Sequence, residues 1–206
     1  MTSEILWTPN EERVAASQLR DFADACSERS GKTFDTYEEL HTWSVDEMAA
    51  FWDAIWDHCG VVGEKGETVL ENADAMPGAA FFPQAKLSFA ENMLKQSGPQ
   101  PAIIFRGEDK IELEMSWDAL RMLVSMLQQA FVAQGVKAGD RIAGMVPNIP
   151  ETVACMLAAN SIGAIWSSCS PDFGEKGVMD RFGQIEPVLF IACDGYWYNG
   201  KSVDLS

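Results

Sequence analysis

Basic residues are scarce: 15 Lys and Arg stand against 31 Asp and Glu, for a formal net charge of −16. A chain this acidic has no cation surface for nucleic acid or an anionic membrane, so neither is expected as a partner. A phosphate-bearing ligand is compatible only where a few basic residues gather locally. Histidine is scarcer still. The two present, His41 and His58, have no ligand partner at helical spacing. The five cysteines (Cys26, Cys59, Cys155, Cys169 and Cys193) show no C-x-x-C spacing, so no metal site is expected. An odd number of scattered thiols reads as reduced cysteines of a cytoplasmic protein, not as a disulfide framework. The opening "MTSEILWTPN" lacks the basic and then apolar stretches of a signal peptide. No run of about 18 apolar residues is present to span a membrane, and no repeat or low-complexity tract appears.

Familiar catalytic strings are missing too. There is no G-x-G-x-x-G and no G-x-x-x-x-G-K-[ST], so neither a dinucleotide fingerprint nor a Walker loop. There is no G-x-S-x-G elbow. Ser167, Ser168 and Ser170 have no neighbouring His to activate them, and Cys169 has no base within sequence reach. The serines read as loop structure and Cys169 as a small packed residue. No catalytic residue is assigned.

Apolar residues are what the chain has in quantity, 47% of it, enough for a substantial core. Up to about residue 100 the pattern is helical. "TPNE" at Thr8–Glu11, "TYEE" at Thr36–Glu39 and "SVDE" at Ser44–Glu47 each have the form of a capping box. Ala15, Leu19, Phe22, Ala23 and Cys26 then form one apolar stripe, and Met48, Phe51, Trp52, Ile55 and Cys59 another. The spacing predicts helices near 9–29 and 45–58, each closed by a glycine, with their aromatic stripes packed on a core. Residues 60–100 carry turn formers at short intervals and the apolar Phe81, Phe82 and Phe89.

From residue 101 the pattern alternates. "AIIF" and "IELEMS" read as strands, followed by helices near 117–134, 150–162 and 175–185. Strands near 141–146, 164–168 and 188–192 are apolar and separated by those helices, which predicts βαβ units and a parallel sheet. The α/β class follows. The loop "SPDFG" then sits at the carboxyl end of a strand, where open α/β sheets bind ligands.

The strings "AKLSFAENML", "AIIFRGED", "GDRIAGMVPNIPETVACMLAANSIGAIWSSCSPDFG" and "VMDRFGQIEP" resemble the N-terminal third of acetoacetate–CoA ligases, members of the acyl- and acetyl-CoA synthetase superfamily of adenylate-forming enzymes. The resemblance runs from about Phe34 to Lys201. "GAIWSSCSPDFG" separates it from acetate ligases, in which a His-Ser start and a Phe-Gly-Gly-Phe loop are expected. The resemblance implies that residues 1–100 form a helical segment wrapping the large domain. Residues 101–206 would begin the AMP-binding adenylation domain with the first of its parallel-sheet subdomains, left incomplete.

The family's reaction uses ATP, Mg and CoA: acetoacetate is activated to an acyl-adenylate and passed to CoA. The resemblance places the phosphate-binding Ser/Thr/Gly-rich loop with its Pro-Lys, the ribose-binding Asp and the C-terminal catalytic Lys beyond Ser206. No ATP-binding residue is therefore assigned, and no cofactor is expected to be held firmly by this chain. Two implied CoA-binding segments do occur. Ser170, Asp172 and Phe173 fall in the loop after one strand, and Tyr198, Asn199 and Lys201 in "YNGK" after the next. Asp172, where acetate ligases carry Gly, and Tyr198, where they carry Arg, add an anion and remove a cation. Lys201 has two readings, a phosphate contact or a solvated surface lysine. The chain is accordingly expected to be part of a ligase and inactive alone; a stand-alone, non-catalytic module with a weak CoA or protein-partner surface is the alternative. Self-association is expected through an uncovered sheet and helix face, with Val153, Met156 and Leu157 as candidates for that face or for the core beneath it.

Overall fold

The computed structural model describes residues 6–205. The chain forms two compact units, one ending at Lys86 and the other beginning at Leu87.

The first unit holds helices α1 (Glu11–Ala15), α2 (Gln18–Ser30), α3 (Tyr37–Asp46) and α4 (Met48–His58), then a short antiparallel pairing of β1 (Leu70–Glu71) with β2 (Ala80–Phe81). The single helix expected over 9–29 is two. Asn10, not Thr8, caps α1 by accepting from the Arg13 N–H (2.9 Å), and Ser17 restarts the chain as α2 by accepting from Arg20 N–H (3.1 Å). A short hydroxyl that satisfies a free N–H makes a new start cheaper than continuing through it. Gly31, at φ +69°, closes α2.

The capping box at Thr36–Glu39 is formed as expected. Thr36 Oγ1 accepts from Glu39 N–H, and the Glu39 carboxylate accepts from the N–H groups of Thr36 and Asp35. The expected box at Ser44 is not formed. Ser44 lies inside α3 and donates back to the His41 carbonyl (2.7 Å), while α4 starts at Met48 without a side-chain cap. Glu47 is instead engaged by Lys32. Phe22, Phe34 and Trp43 are buried, and Phe51 packs against them. Their rings meet mostly edge-on, with Phe22–Phe51 centroids 5.8 Å apart and Trp43–Phe51 6.0 Å apart. Each such pair adds about 0.5–1.5 kcal/mol beyond the area it buries. Arg29 and Lys65 both bridge Asp53 and Asp57 outside this core.

The second unit contains α5 (Phe89–Met93), β3 (Pro101–Gly107), β4 (Ile111–Ser116), α6 (Trp117–Ala133), β5 (Arg141–Met145), α7 (Pro150–Ser161), β6 (Ile165–Cys169), α8 (Glu175–Phe182), β7 (Leu189–Ala192), β8 (Gly195–Tyr198) and β9 (Lys201–Asp204). The parallel sheet has the order β6-β5-β7. The expected strands before residue 117 do not join it; β3 and β4 pair with each other as an antiparallel hairpin. Ser116 caps α6 by accepting from Ala119 N–H (3.1 Å), and Pro150 opens α7 at its first turn. Fixed φ and a donor that would have been orphaned anyway suit proline there.

Helices pack against both faces of the sheet, and one face is only partly covered. Ile142, Trp166, Leu189 and Ile191 meet α6 and α7 in the principal core. Ala143, Met145 and Cys169 point the other way, onto Phe182 and Val178 of α8. α7 contributes small residues to this core: Ala154, Ala158 and Ala159 are each 0% exposed. Of the two readings offered for Val153, Met156 and Leu157, an open face or the core beneath it, the core holds. Leu157 is buried, and Val153 and Met156 pack against the same cluster. Apolar surface stays open on the strands at Ile165 and Phe190 and on the helices at Met122, Met126 and Met179. Gly144 has no room for a side chain, since a Cβ there would lie 2.7 Å from Trp166 Cη2. Among the described residues no helix is long and apolar enough to cross a membrane.

Candidate functional site

The carboxyl ends of β5, β6 and β7 form the edge where a parallel sheet presents ligand-binding loops. The ladder runs one residue past each strand: Val146 N–H donates to the Cys169 carbonyl (3.2 Å), and Cys193 N–H to the Met145 carbonyl (3.3 Å). Three loops start there, at Val146, Ser170 and Cys193.

The loop after β6 turns at once. Phe173 N–H donates to the Ser170 carbonyl (3.2 Å), Pro171 is buried, and Ser170 and Asp172 face solvent. The Phe173 ring rests on Gly177, where a Cβ would lie 3.0 Å from Phe173 Cδ1, and the Arg181 guanidinium sits 4.5 Å from the ring centroid. One face of Phe173 is thus already taken by a cation. Burial pushes the Cys169 thiol up, against the opposing pull of Arg181. It stays protonated at neutral pH, consistent with a packed residue and not with a nucleophile.

The loop after β7 is a hairpin. Gly195, Tyr196, Trp197 and Tyr198 pair with Asp204, Val203, Ser202 and Lys201. Asn199 and Gly200 make the turn at φ +51° and +73°, the pair of positive φ values that a type I′ turn requires. The tip is held by the β3–β4 turn. Gly200 N–H donates to Glu108 Oε2 at 2.8 Å, and Lys110 Nζ lies 5.4 Å from the Trp197 ring centroid. Between the two hairpins and the loop after β5 lies a cleft of about 760 Å³. Phe105, Ile111, Ile149, Trp197 and Val203 give it apolar walls, and Glu108, Asp194 and Asp204 line it too.

The two predicted segments leave different strands of the sheet. Ser170, Asp172 and Phe173 stay at the end of β6, while Tyr198, Asn199 and Lys201 are carried on the hairpin to Glu108. β5 stands between the strands they leave, and no hydrogen bond, ion pair or ring contact joins the two sets. None of the six lines the cleft. Lys201 is the one cation among the six, and the Gly200 N–H beside it is occupied by Glu108. The residues that reasoning from sequence missed are Glu108, Asn148, Asp194 and Trp197 of the cleft. The signal for the hairpin was present, since Asn-Gly between "YWY" and "KSV" is the strongest short-range hairpin pattern.

A family model described as "AMP-binding enzyme" matches residues 89–204. The chain belongs to this family. A second model, "Acetyl-coenzyme A synthetase N-terminus", matches residues 37–93. Acetoacetyl-coenzyme A synthetase of Rhizobium meliloti (strain 1021) is 60% identical over 200 residues, which is 97% of this chain and 31% of that protein. Malonamoyl-CoA synthetase of Penicillium aethiopicum is 35% identical over 206 residues, 96% of this chain and 28% of that one. Acetoacetyl-CoA synthetase from Streptomyces lividans superposes with a TM-score of 0.90 at 38% identity, over 98% of this chain and 32% of its own. The chain thus spans about a third of the length of the AMP-binding relatives it matches.

Proposed function

We propose that this chain supplies the N-terminal part of an acetoacetate–CoA ligase working in the cytoplasm. In that reading residues 1–100 are the acetyl-CoA-synthetase-type N-terminal segment and residues 101–206 the beginning of the adenylation domain. The complete enzyme joins acetoacetate to ATP as an acyl-adenylate, releasing pyrophosphate, and passes the acyl group to the CoA thiol, releasing AMP. The observation that carries the reading is 60% identity across nearly the whole chain to a protein named acetoacetyl-coenzyme A synthetase. A malonamoyl-CoA synthetase at 35% shares the same region, which suits a substrate pocket built by residues outside it.

Alone, the chain does not adenylate. Phosphoryl chemistry depends on donors and cations placed around the transferring group, and the sequence holds neither the Pro-Lys phosphate loop nor the Lys motif that the resemblance implies. At the CoA segments a lone Lys201 against Asp172 leaves an affinity no better than about millimolar, roughly −4 kcal/mol. The test is acetoacetate-dependent pyrophosphate exchange with ATP, measured beside a full-length homologue. Exchange at background for this chain and clear turnover for the homologue are expected. Turnover by the pure 206-residue protein would refute the reading.

A further inference from the structure

We propose that Asn199 is a site of spontaneous covalent modification, deamidation through a cyclic imide, and that the Glu108 carboxylate restrains it by holding the attacking nitrogen. Of Asn10, Asn72, Asn92, Asn148, Asn160 and Asn199, only Asn199 is followed by glycine. Behind the others stands a residue whose side chain crowds the approach of its own backbone nitrogen to the preceding carboxamide; glycine has none to do so. The surroundings leave the pair open. Asn199 and Gly200 are exposed at the tip of the β8–β9 hairpin, and the Asn199 side chain has no hydrogen-bond partner among the described residues. A Cβ built on Gly200 would meet nothing within 4 Å, so packing does not shield the attack.

In the reaction the Gly200 nitrogen adds to Asn199 Cγ. A bond forms between them, the Cγ–Nδ2 bond breaks, and the Gly200 amide proton passes through water to the departing nitrogen, which leaves as ammonia. Water then opens the imide ring at either carbonyl. One product is aspartate at position 199; the other routes the main chain through Cβ and Cγ. Water enters, ammonia leaves, and no oxidant or reductant takes part. Ring closure eclipses Gly200 N with Asn199 Cβ across the Asn199 Cα–C bond, so the peptide unit joining the two residues must rotate. That unit is tied down. Gly200 N–H donates to Glu108 Oε2 at 2.8 Å across a separation of 92 residues, and the turn holds φ +51° and +73°. Lys110 over the Trp197 ring fastens the β3–β4 turn to the same hairpin. A carboxylate is too weak a base to strip an amide of its proton, so the bond is a tether and not a catalyst. Modification adds a negative charge two residues before Lys201. In the rerouted product it also lengthens the turn that sets the register of β8 on β9. The inference stands apart from the ligase reading and survives its failure.

The test is incubation of the 206-residue chain at mildly alkaline pH, with the peptide that contains Asn199 followed by mass spectrometry for loss of its amide. Wild type, Glu108→Ala and Glu108→Gln are compared folded and in urea, with the amide spectra of β8 and β9 reporting that the hairpin is intact. In urea the three should react alike. Folded wild type should be the slowest, and folded Glu108→Ala roughly tenfold faster than it, the worth of one hydrogen bond to a charged group. Glu108→Gln, which keeps a neutral acceptor, should fall between them. Asn199→Gln should remove the early product. Folded wild type reacting as fast as the chain in urea, or deamidation appearing first at another asparagine, overturns the proposal. So does Glu108→Ala no faster than wild type; a slower rate there would make the carboxylate a catalyst. If Glu108→Ala unravels the hairpin, Glu108→Gln decides: faster than wild type supports the tether, and an equal or slower rate overturns it.

Discussion

The two compact units bury their cores by opposite means. The first relies on large rings: Phe22, Phe34 and Trp43 fill the space between short helices, with Phe51 against them. The second relies on small residues. Ala154, Ala158 and Ala159 of α7 are wholly buried in its core, and Gly144 leaves room for the Trp166 ring. Burial is comparable and vulnerability is not. A ring-filled core is harmed by removing atoms, a core seamed with alanine by adding them.

Trp43→Ala tests the first half of that contrast and should have the largest effect. Trp43 is 5% exposed and touches Phe34 and Phe51, so truncation should cost about 3–5 kcal/mol, read from the midpoint of urea unfolding. Ala158→Leu tests the second half. Ala158 is 0% exposed, and the added carbons should cost about 1–3 kcal/mol. A neutral Ala158→Leu would show that the seam is loose and that the contrast fails.

Sequence made the two halves legible to different degrees. The switch from a helical period to strand–helix alternation was readable, and so were β5, β6, β7 and α7, because apolar runs and Pro150 punctuate them. The break at Ser17 and the lost box at Ser44 were not. Both turn on whether a hydroxyl bonds forward to a free N–H or back to a carbonyl, and the residue type allows either. At the candidate site the six residues were named, but the hairpin that carries three of them was not foreseen. Loop position along the sequence gives the strand end from which a residue departs, not the direction a hairpin then takes. Asn199–Gly200 marked that hairpin, but Glu108, its partner from the β3–β4 turn, had no local signature.

A device common to both units sharpens the comparison by holding constant. Thr36 caps α3 and Ser116 caps α6, each accepting from the N–H three residues on. Thr36→Ala and Ser116→Ala should each lower stability by about 1 kcal/mol, in contrast to the unequal core substitutions. A cap cost differing severalfold between the two would mean that the local context of each unit, not its core, sets the difference.

Acid should distinguish the units most gently. The carboxylates held below their usual range, Glu39, Glu47 and Asp57, all lie in the first unit. Asp57 is held low by Lys65 first and then Arg29. A carboxylate with a depressed folded pKa contributes stability fully above its ordinary value of about 4. That contribution is lost as pH falls through the lower folded value. Asp57 is half exposed, so the loss should stay under about 1 kcal/mol. Asp57→Asn should flatten the dependence of stability on pH below about 4, and an unchanged slope would remove Asp57 as its source.

The order β6-β5-β7 has a consequence in time. β5 is the first of the three strands to be synthesised and the one that needs both others: Ile142 pairs with Trp166 on one side and Leu189 on the other. At about 5–20 residues per second, β5 spends seconds outside the ribosome with its buried Ile142 and Ala143 uncovered. The helical unit waits less, since its core runs from Phe22 to Ile55, 33 positions, against 47 from Ile142 to Leu189. A nascent chain of this protein is therefore most in need of a chaperone in a defined interval, after Met145 has emerged and before Ala192 has.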